Sequence, residues 1–168
     1  GDIQVNKIQG KQLSYNNYND VLSALTISKS LPKNIGTVIV KHANPCGVSI
    51  NKDYLKSYRS ALACDPISAF GGIVSCNFKI KKNLRLIDGT NYSFKEKLKF
   101  ISSNEELLVQ TEDLKKFSNN DFKIVSKRKP NSKQMKDLIF AFNICRFVKS
   151  NAIVLASNET TAGIGSGQ

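Results

Sequence analysis

Thr37-Val38-Ile39-Val40, followed at once by Lys41-His42-Ala43-Asn44-Pro45-Cys46-Gly47, is the stretch on which the reading of the chain turns. Four β-branched residues in a row suit a pleated surface packed on both faces, so residues 37–40 are expected to form a buried strand. Pro45 and Gly47 just beyond it predict a turn. The polar residues of the phrase then stand at the C-terminal end of a buried strand, the place where open α/β sheets bind ligands.

Working outward, residues 17–30 read as a helix, with Asn17 as N-cap and Val21, Leu22, Leu25 and Ile27 as its apolar stripe. Leu31-Pro32 stops it. Residues 52–63 read as a second helix, with Tyr54, Leu55, Tyr58 and Leu62 on one face and Asp65-Pro66 at its end. Phe70-Gly71-Gly72 leads into a short strand over 73–76. Further strands are expected at 84–87, 107–109 and 122–125. Residues 132–148 carry Met135, Leu138, Ile139, Phe142 and Cys145 at helical spacing, with Asn131 placed to cap them. Strands at 152–156 and 161–164 flank Asn158-Glu159. Strands alternating with helices predict a layered α/β fold. No internal repeat is visible, and the Lys-rich residues 77–104 read as a surface excursion.

The 168 residues suffice for one domain with a real core. The chain starts at Gly1 and ends at Gln168 inside a Gly-rich phrase, so it is expected to be a fragment. No apolar run approaches the roughly 20 residues needed to span a bilayer, and no signal-peptide pattern opens the chain. A cytoplasmic location is expected. The four cysteines, Cys46, Cys64, Cys76 and Cys145, form no C-x-x-C pair; three of them sit in apolar or small-residue surroundings, and they read as free buried thiols. The net charge of +12 fits a nucleic-acid or other anionic partner, or a solvated Lys-rich surface. The lysines are scattered among Asn and Ser and arginine is scarce, which favours the surface reading over specific phosphate or base contacts.

His42 is the one histidine. A neighbouring ammonium, that of Lys41, disfavours imidazolium, and a neutral imidazole can accept a proton. Adjacent strand residues point to opposite sides, but where the chain turns at a strand end both can reach one pocket. Cys46 stands four residues beyond His42, which by itself is no sign of a positioned nucleophile. A deaminase-type zinc site needs H-x-E and P-C-x-x-C. Here Ala43-Asn44 follow His42, and Gly47-Val48-Ser49 follow Pro45-Cys46, so no zinc is expected. The glycines of Ser68-Ala69-Phe70-Gly71-Gly72 serve either close approach to a planar ligand or tight packing. Asn151, between a helix and a buried strand, serves either as a backbone cap or as an amide for a substrate carbonyl. Gly163, Gly165 and Gly167 alternate with Ile164 and Ser166, a weak phosphate signal because no helix follows.

Taken together, several phrases resemble one family in order. They are Gly10-Lys11-x-Leu13-Ser14-Tyr15-Asn16-Asn17, Lys41 to Gly47, Asp65-Pro66-x-Ser68-Ala69-Phe70-Gly71-Gly72, Val148 to Val154, and Gly163 to Gln168. The family is the bacterial type of AICAR transformylase/IMP cyclohydrolase. The resemblance implies a cytidine-deaminase-like three-layer α/β/α sandwich. Residues 1–168 would form part of the transformylase domain, mainly its first half, with the cyclohydrolase domain and C-terminal half absent. It implies formyl transfer from 10-formyltetrahydrofolate to the 5-amine of aminoimidazole carboxamide ribonucleotide (AICAR), on the route to inosine monophosphate. The family's catalytic pair falls on Lys41 and His42. Its amide-bearing substrate contact falls on Asn151, a substrate-contacting glycine on Gly71, and the folate side on Phe70. A homodimer is implied for the parent enzyme. The sequence departs from the family at Lys81-Lys82-Asn83, which replace a helix and an Ile-Ile-x-Pro-like strand. The alternative from another class is a basic α/β module that binds nucleic acid without catalysis.

Overall fold

A computed structural model describes residues 6–7, 12–80, 87–89, 98–103, 106–111 and 115–167. The expected strand over 84–87 falls outside these residues except for its last position, as does much of the 77–104 excursion. The elements run β1 (Asn6–Lys7), α1 (Tyr15–Ser30), β2 (Gly36–Lys41), β3 (Asn44–Ile50), α2 (Tyr54–Cys64), β4 (Ile73–Cys76) and β5 (Ile87–Asp88). They continue with β6 (Leu98–Ser103), β7 (Glu106–Thr111), a 3-10 turn (Asn119–Asp121), α3 (Ser132–Cys145), β8 (Ile153–Ser157) and β9 (Thr160–Gly165).

The main sheet has five strands in the order β4-β2-β3-β9-β8, every neighbouring pair antiparallel. Side chains alternate across it. Val38, Val40 and Val48 point to one face and pack against Ala24, Ile27 and Leu31 at α1 and Phe140 and Ile144 of α3. Ile39 and Cys46 point to the other face, against Ala61 of α2. The result is the expected three-layer α/β/α sandwich. Each of these valine, leucine and isoleucine side chains contributes about 1.5–3 kcal/mol by leaving water. β6 and β7 form a separate hairpin, and β1 pairs with β5.

The strand over 37–40 forms as expected, but the turn expected at Pro45 and Gly47 does not. Pro45, Cys46 and Gly47 lie instead in β3, buried, and β2 and β3 form a tight hairpin. The register passes from Ile39↔Gly47 to Val40↔Pro45, leaving Cys46 as the extra residue of a bulge. A bulge is one of the few places where a sheet tolerates a proline, which has no N–H to give. The sheet is accordingly antiparallel, where the crevice rule presumed parallel strands.

Helix α1 starts two residues earlier than expected, at Tyr15. Ser14, not Asn17, is the cap: Asn17 donates its N–H to Ser14 Oγ at 3.3 Å, and Asn17 Oδ1 accepts from Ser14 N at 3.2 Å. Helix α2 buries Ser57 and Ala61; of the expected face Leu62 packs against the core, whereas Tyr54, Leu55 and Tyr58 stay 49%, 55% and 36% exposed. Only small residues fit because the helix backbone lies directly on Gly47 of β3. Ser57 Oγ sits 2.9 Å from Thr37 Oγ1, 3.2 Å from the Ser49 carbonyl and 3.3 Å from that of Ile35, so its burial leaves no bond unmade.

Asn131 caps α3 as expected, accepting from Gln134 N at 2.9 Å, but the helix ends at Cys145. The expected strand over 122–125 does not form. Phe122 instead meets Phe142 edge-on at 5.1 Å, and Phe117 meets Phe142 at 4.9 Å. Ring packing against α3 thus decides the path of this segment.

Candidate active site

The β2–β3 hairpin turns on two residues, His42 (φ 52°) and Ala43 (φ 58°), with Lys41 paired to Asn44 beneath them. Positive φ at both central positions matches the right-handed twist of the strands, yet the usual residues there are glycine and asparagine. Each non-glycine residue in this region costs about 1–3 kcal/mol and persists only where the surroundings enforce it. One such support is visible: the Ala43 N–H donates to Oδ1 of the buried Asp20, at 2.6 Å.

The turn delivers Lys41 and His42 to one open cleft of about 440 Å³. Asn44, Pro45 and Cys46 continue its floor from the same hairpin. Asp65 and Ser68 form a second wall, after the end of α2. Ser68 N donates to Asp65 Oδ1 at 2.9 Å, and the Ser68 hydrogen bonds hold the Asp65 carboxyl below the usual carboxylate range. Lys149, Ile164, Ser166 and Gly167 form the third wall. Asn44 Oδ1 ties that wall to the hairpin by accepting from Lys149 N at 3.1 Å. Gly167 N donates to the Lys149 carbonyl at 3.1 Å, and a side chain at 167 would collide with the Ser150 carbonyl.

Of the residues singled out from the sequence, Lys41 and His42 share this cleft. Phe70 meets it through Lys41, whose Nζ donates to the Phe70 carbonyl at 2.6 Å, while Gly71 follows in the chain outside the lining. The Phe70 ring is 83% exposed, and Gly71 (φ 72°) has open space where a side chain would stand. Gly72, not Gly71, is the glycine required for packing, since a Cβ there would meet the Val40 carbonyl oxygen at 2.8 Å. Asn151 is exposed and follows a cis peptide bond from Ser150; it lies beside the third wall rather than in it. Asp20, Asn44, Asp65 and Ser68 were not singled out for the site. Asp20 had left a trace, a carboxylate next to Val21 on the apolar side of α1.

Cys46 is buried, and that burial, reinforced by the Asp65 charge, pushes its thiol up from the ordinary value. A raised thiol holds little thiolate at neutral pH, and the thiolate is the nucleophile. Iodoacetamide is therefore expected to label Cys46 at least about tenfold more slowly than free cysteine at pH 7.5, the rate recovering only above the ordinary thiol range. Peptide mass spectrometry after timed labelling checks this; labelling as fast as free cysteine would contradict it. Among the described residues, no group of three or more His, Cys, Asp or Glu side chains could hold a metal ion. Nor is any helix among them long and apolar enough to cross a membrane.

The AICARFT/IMPCHase bienzyme family model matches the chain over residues 2–81 and 77–168. The two stretches meet at the edge of the Lys81-Lys82-Asn83 departure. The bifunctional purine biosynthesis protein PurH of Parvibaculum lavamentivorans is 38% identical over 96% of this chain and 37% of its own length. Its namesake in Chelativorans is 40% identical over 96% of this chain and 37% of its own length. That of Buchnera aphidicola from Schizaphis graminum is 40% identical over 97% and 37%. The chain thus spans under two fifths of the length of these relatives. The Parvibaculum alignment runs over 197 positions against a chain of 168 residues, so within the aligned stretch that relative carries residues that this chain lacks. With residues 2–168 matched, the chain belongs to the AICARFT/IMPCHase bienzyme family.

Proposed function

We propose that this chain supplies the first half of a transformylase domain and carries the proton-handling centre for formyl transfer. The transfer runs from 10-formyltetrahydrofolate to the 5-amine of AICAR in purine biosynthesis. The observation that carries the reading is the delivery of Lys41 and His42 from one hairpin into one cleft. The AICAR amine is a poor nucleophile because its lone pair is conjugated into the ring and carboxamide. His42 takes the proton from this nitrogen as it attacks the formyl carbon. The carbonyl becomes a tetrahedral oxyanion whose charge the Lys41 ammonium stabilises, and Asn151, beside the third wall, is the proposed second donor once substrate fills the cleft. The bond from carbon to the folate nitrogen then breaks, that nitrogen takes up the proton that His42 removed, and tetrahydrofolate leaves with His42 neutral again.

Gly71 and Phe70 are the proposed contacts to nucleotide and folate, reached through the Lys41–Phe70 bond. The proposed setting is a cytoplasmic homodimer, with the remaining walls supplied by the rest of the family's length. The positive balance of the chain favours the nucleotide phosphate and the anionic folate tail.

Calorimetric titration of the chain with AICAR tests this reading. Saturable binding between roughly 1 μM and 1 mM, the range usual for enzyme substrates, is expected. The charge of +12 also suits a nucleic acid. Steeply salt-dependent binding of DNA or RNA together with no AICAR binding would decide for that second reading.

A further inference from the structure

Asp20 is a buried acid for which the proposed chemistry has no use. It is 8% exposed on α1, and its Oδ1 reaches across to the Ala43 N–H at 2.6 Å. Ala43 is the second residue of the hairpin turn and His42 the first, both in the left-handed region without being glycine. Fixing the peptide between them fixes the direction in which the His42 side chain leaves the backbone.

A second turn of the same sheet repeats the device. β8 and β9 are joined by Asn158 (φ 52°) and Glu159 (φ 53°), and the Glu159 N–H donates to Asp137 Oδ1 of α3 at 2.8 Å. Helices α1 and α3 lie on the same face of the sheet. In both places the second residue of a two-residue left-handed turn gives its N–H to an aspartate rising from a helix. The β8–β9 turn has no part in the cleft. At the β2–β3 turn, the same clamp holds the residue that carries the imidazole.

We infer that Asp20 is a positioning residue for His42: its carboxylate pins the Ala43 peptide, and through it aims the imidazole into the cleft beside Lys41. The inference rests on the reading of His42 as the base. Asp20 stands apart from the cleft walls and acts through the turn alone. A carboxylate is the stronger acceptor for such a bond, and an amide oxygen of the same shape is the nearest substitute.

The test compares Asp20→Ala, Asp20→Asn and the control Asp137→Ala in the whole chain. Amide exchange and the His42 ring resonances are read by NMR without ligand, and kcat and KM are read separately wherever turnover is measured. Asp20→Ala is expected to speed exchange at Ala43 about tenfold to a hundredfold, the range for losing a hydrogen bond to a charged group. It should also shift the His42 ring resonances and lower kcat, with KM for AICAR changed less than about twofold. Asp20→Asn should restore most of each. Asp137→Ala should speed exchange at Glu159 and leave the His42 ring unmoved. An unmoved Ala43 amide and His42 ring in Asp20→Ala, alongside a response of Glu159 in Asp137→Ala, overturns the inference. Should Asp20→Ala fail to fold, Asp20→Asn decides: the Ala43 amide proton is expected to move upfield with the core resonances in place, and a stationary one overturns the inference. Failure of the formyl-transfer reading shows separately, as His42→Ala turning over normally, because exchange and ring shifts are read without substrate.

Discussion

Replacing His42 with alanine is expected to lower formyl transfer to AICAR by roughly 100- to 10,000-fold, the usual contribution of a positioned general base. The expectation follows from the nucleophile. An amine whose lone pair is conjugated into the ring and carboxamide attacks poorly unless its proton is removed as the new bond forms. Among the residues lining the cleft, His42 is the side chain suited to take that proton. Lys41 lies beside it with Nζ held by the Phe70 carbonyl, a geometry suited to meeting charge on an oxygen rather than to taking up a proton. The loss should therefore appear in kcat and kcat/KM together, with AICAR affinity nearly kept. Cys46→Ser should cost little by comparison, because the thiol is buried and its pKa raised. Turnover of His42→Ala within a few-fold of the unsubstituted protein would remove the imidazole from the chemistry and leave the Lys41 ammonium to be explained alone.

How far the sequence revealed this site depends on how local each determinant is. The strand over 37–40 was legible because β-branched residues bury well on a pleated sheet whatever surrounds them. The turn after it was misplaced by several residues, because Pro45 and Gly47 carry the usual turn chemistry while His42 and Ala43 do not. What allows a turn on the latter pair includes a bond to Asp20, 23 positions away along the chain. Helix α2 was legible from its spacing and from the Asp65-Pro66 stop, but most of its buried face was not. The choice of Ser57 and Ala61 over Tyr54 and Leu55 is made by Gly47 of a neighbouring strand. The helix over 132–145 announced itself by periodicity and by Asn131, whereas Phe122 reads as a strand residue until the rings of Phe117 and Phe142 are beside it. Lys41 and His42 were adjacent and therefore visible. The wall carried by Lys149 is joined to them by Asn44 across 105 positions, and no window of sequence spans that bond.

Gly47→Ala tests the contact on which that arrangement depends. A Cβ at 47 would overlap the Ala61 carbonyl oxygen and come within 3.3 Å of Cys64 Cβ. The first obstacle is backbone, so no rotamer change can relieve it; α2 must move away from β3, and with it the Ser57 bonds to Thr37 and Ser49. Overpacking of a well-fitted core costs about 1–3 kcal/mol and more where backbone is displaced, so a loss of at least about 3 kcal/mol is expected. For a domain of this size that lowers Tm by about 6–12 °C, at 2–4 °C per kcal/mol. Gly71→Ala is the internal comparison. No atom lies within 4 Å of its added Cβ, and only the backbone preference at φ 72° resists it, for about 1–2 kcal/mol. Thermal unfolding of the two variants side by side should therefore rank Gly47→Ala clearly below Gly71→Ala. A Gly47→Ala protein that melts with the unsubstituted chain would mean that α2 does not rest on β3 at this point. Asp65 and Ser68 follow directly from the end of α2, so the second wall of the cleft would then lose its footing beside His42.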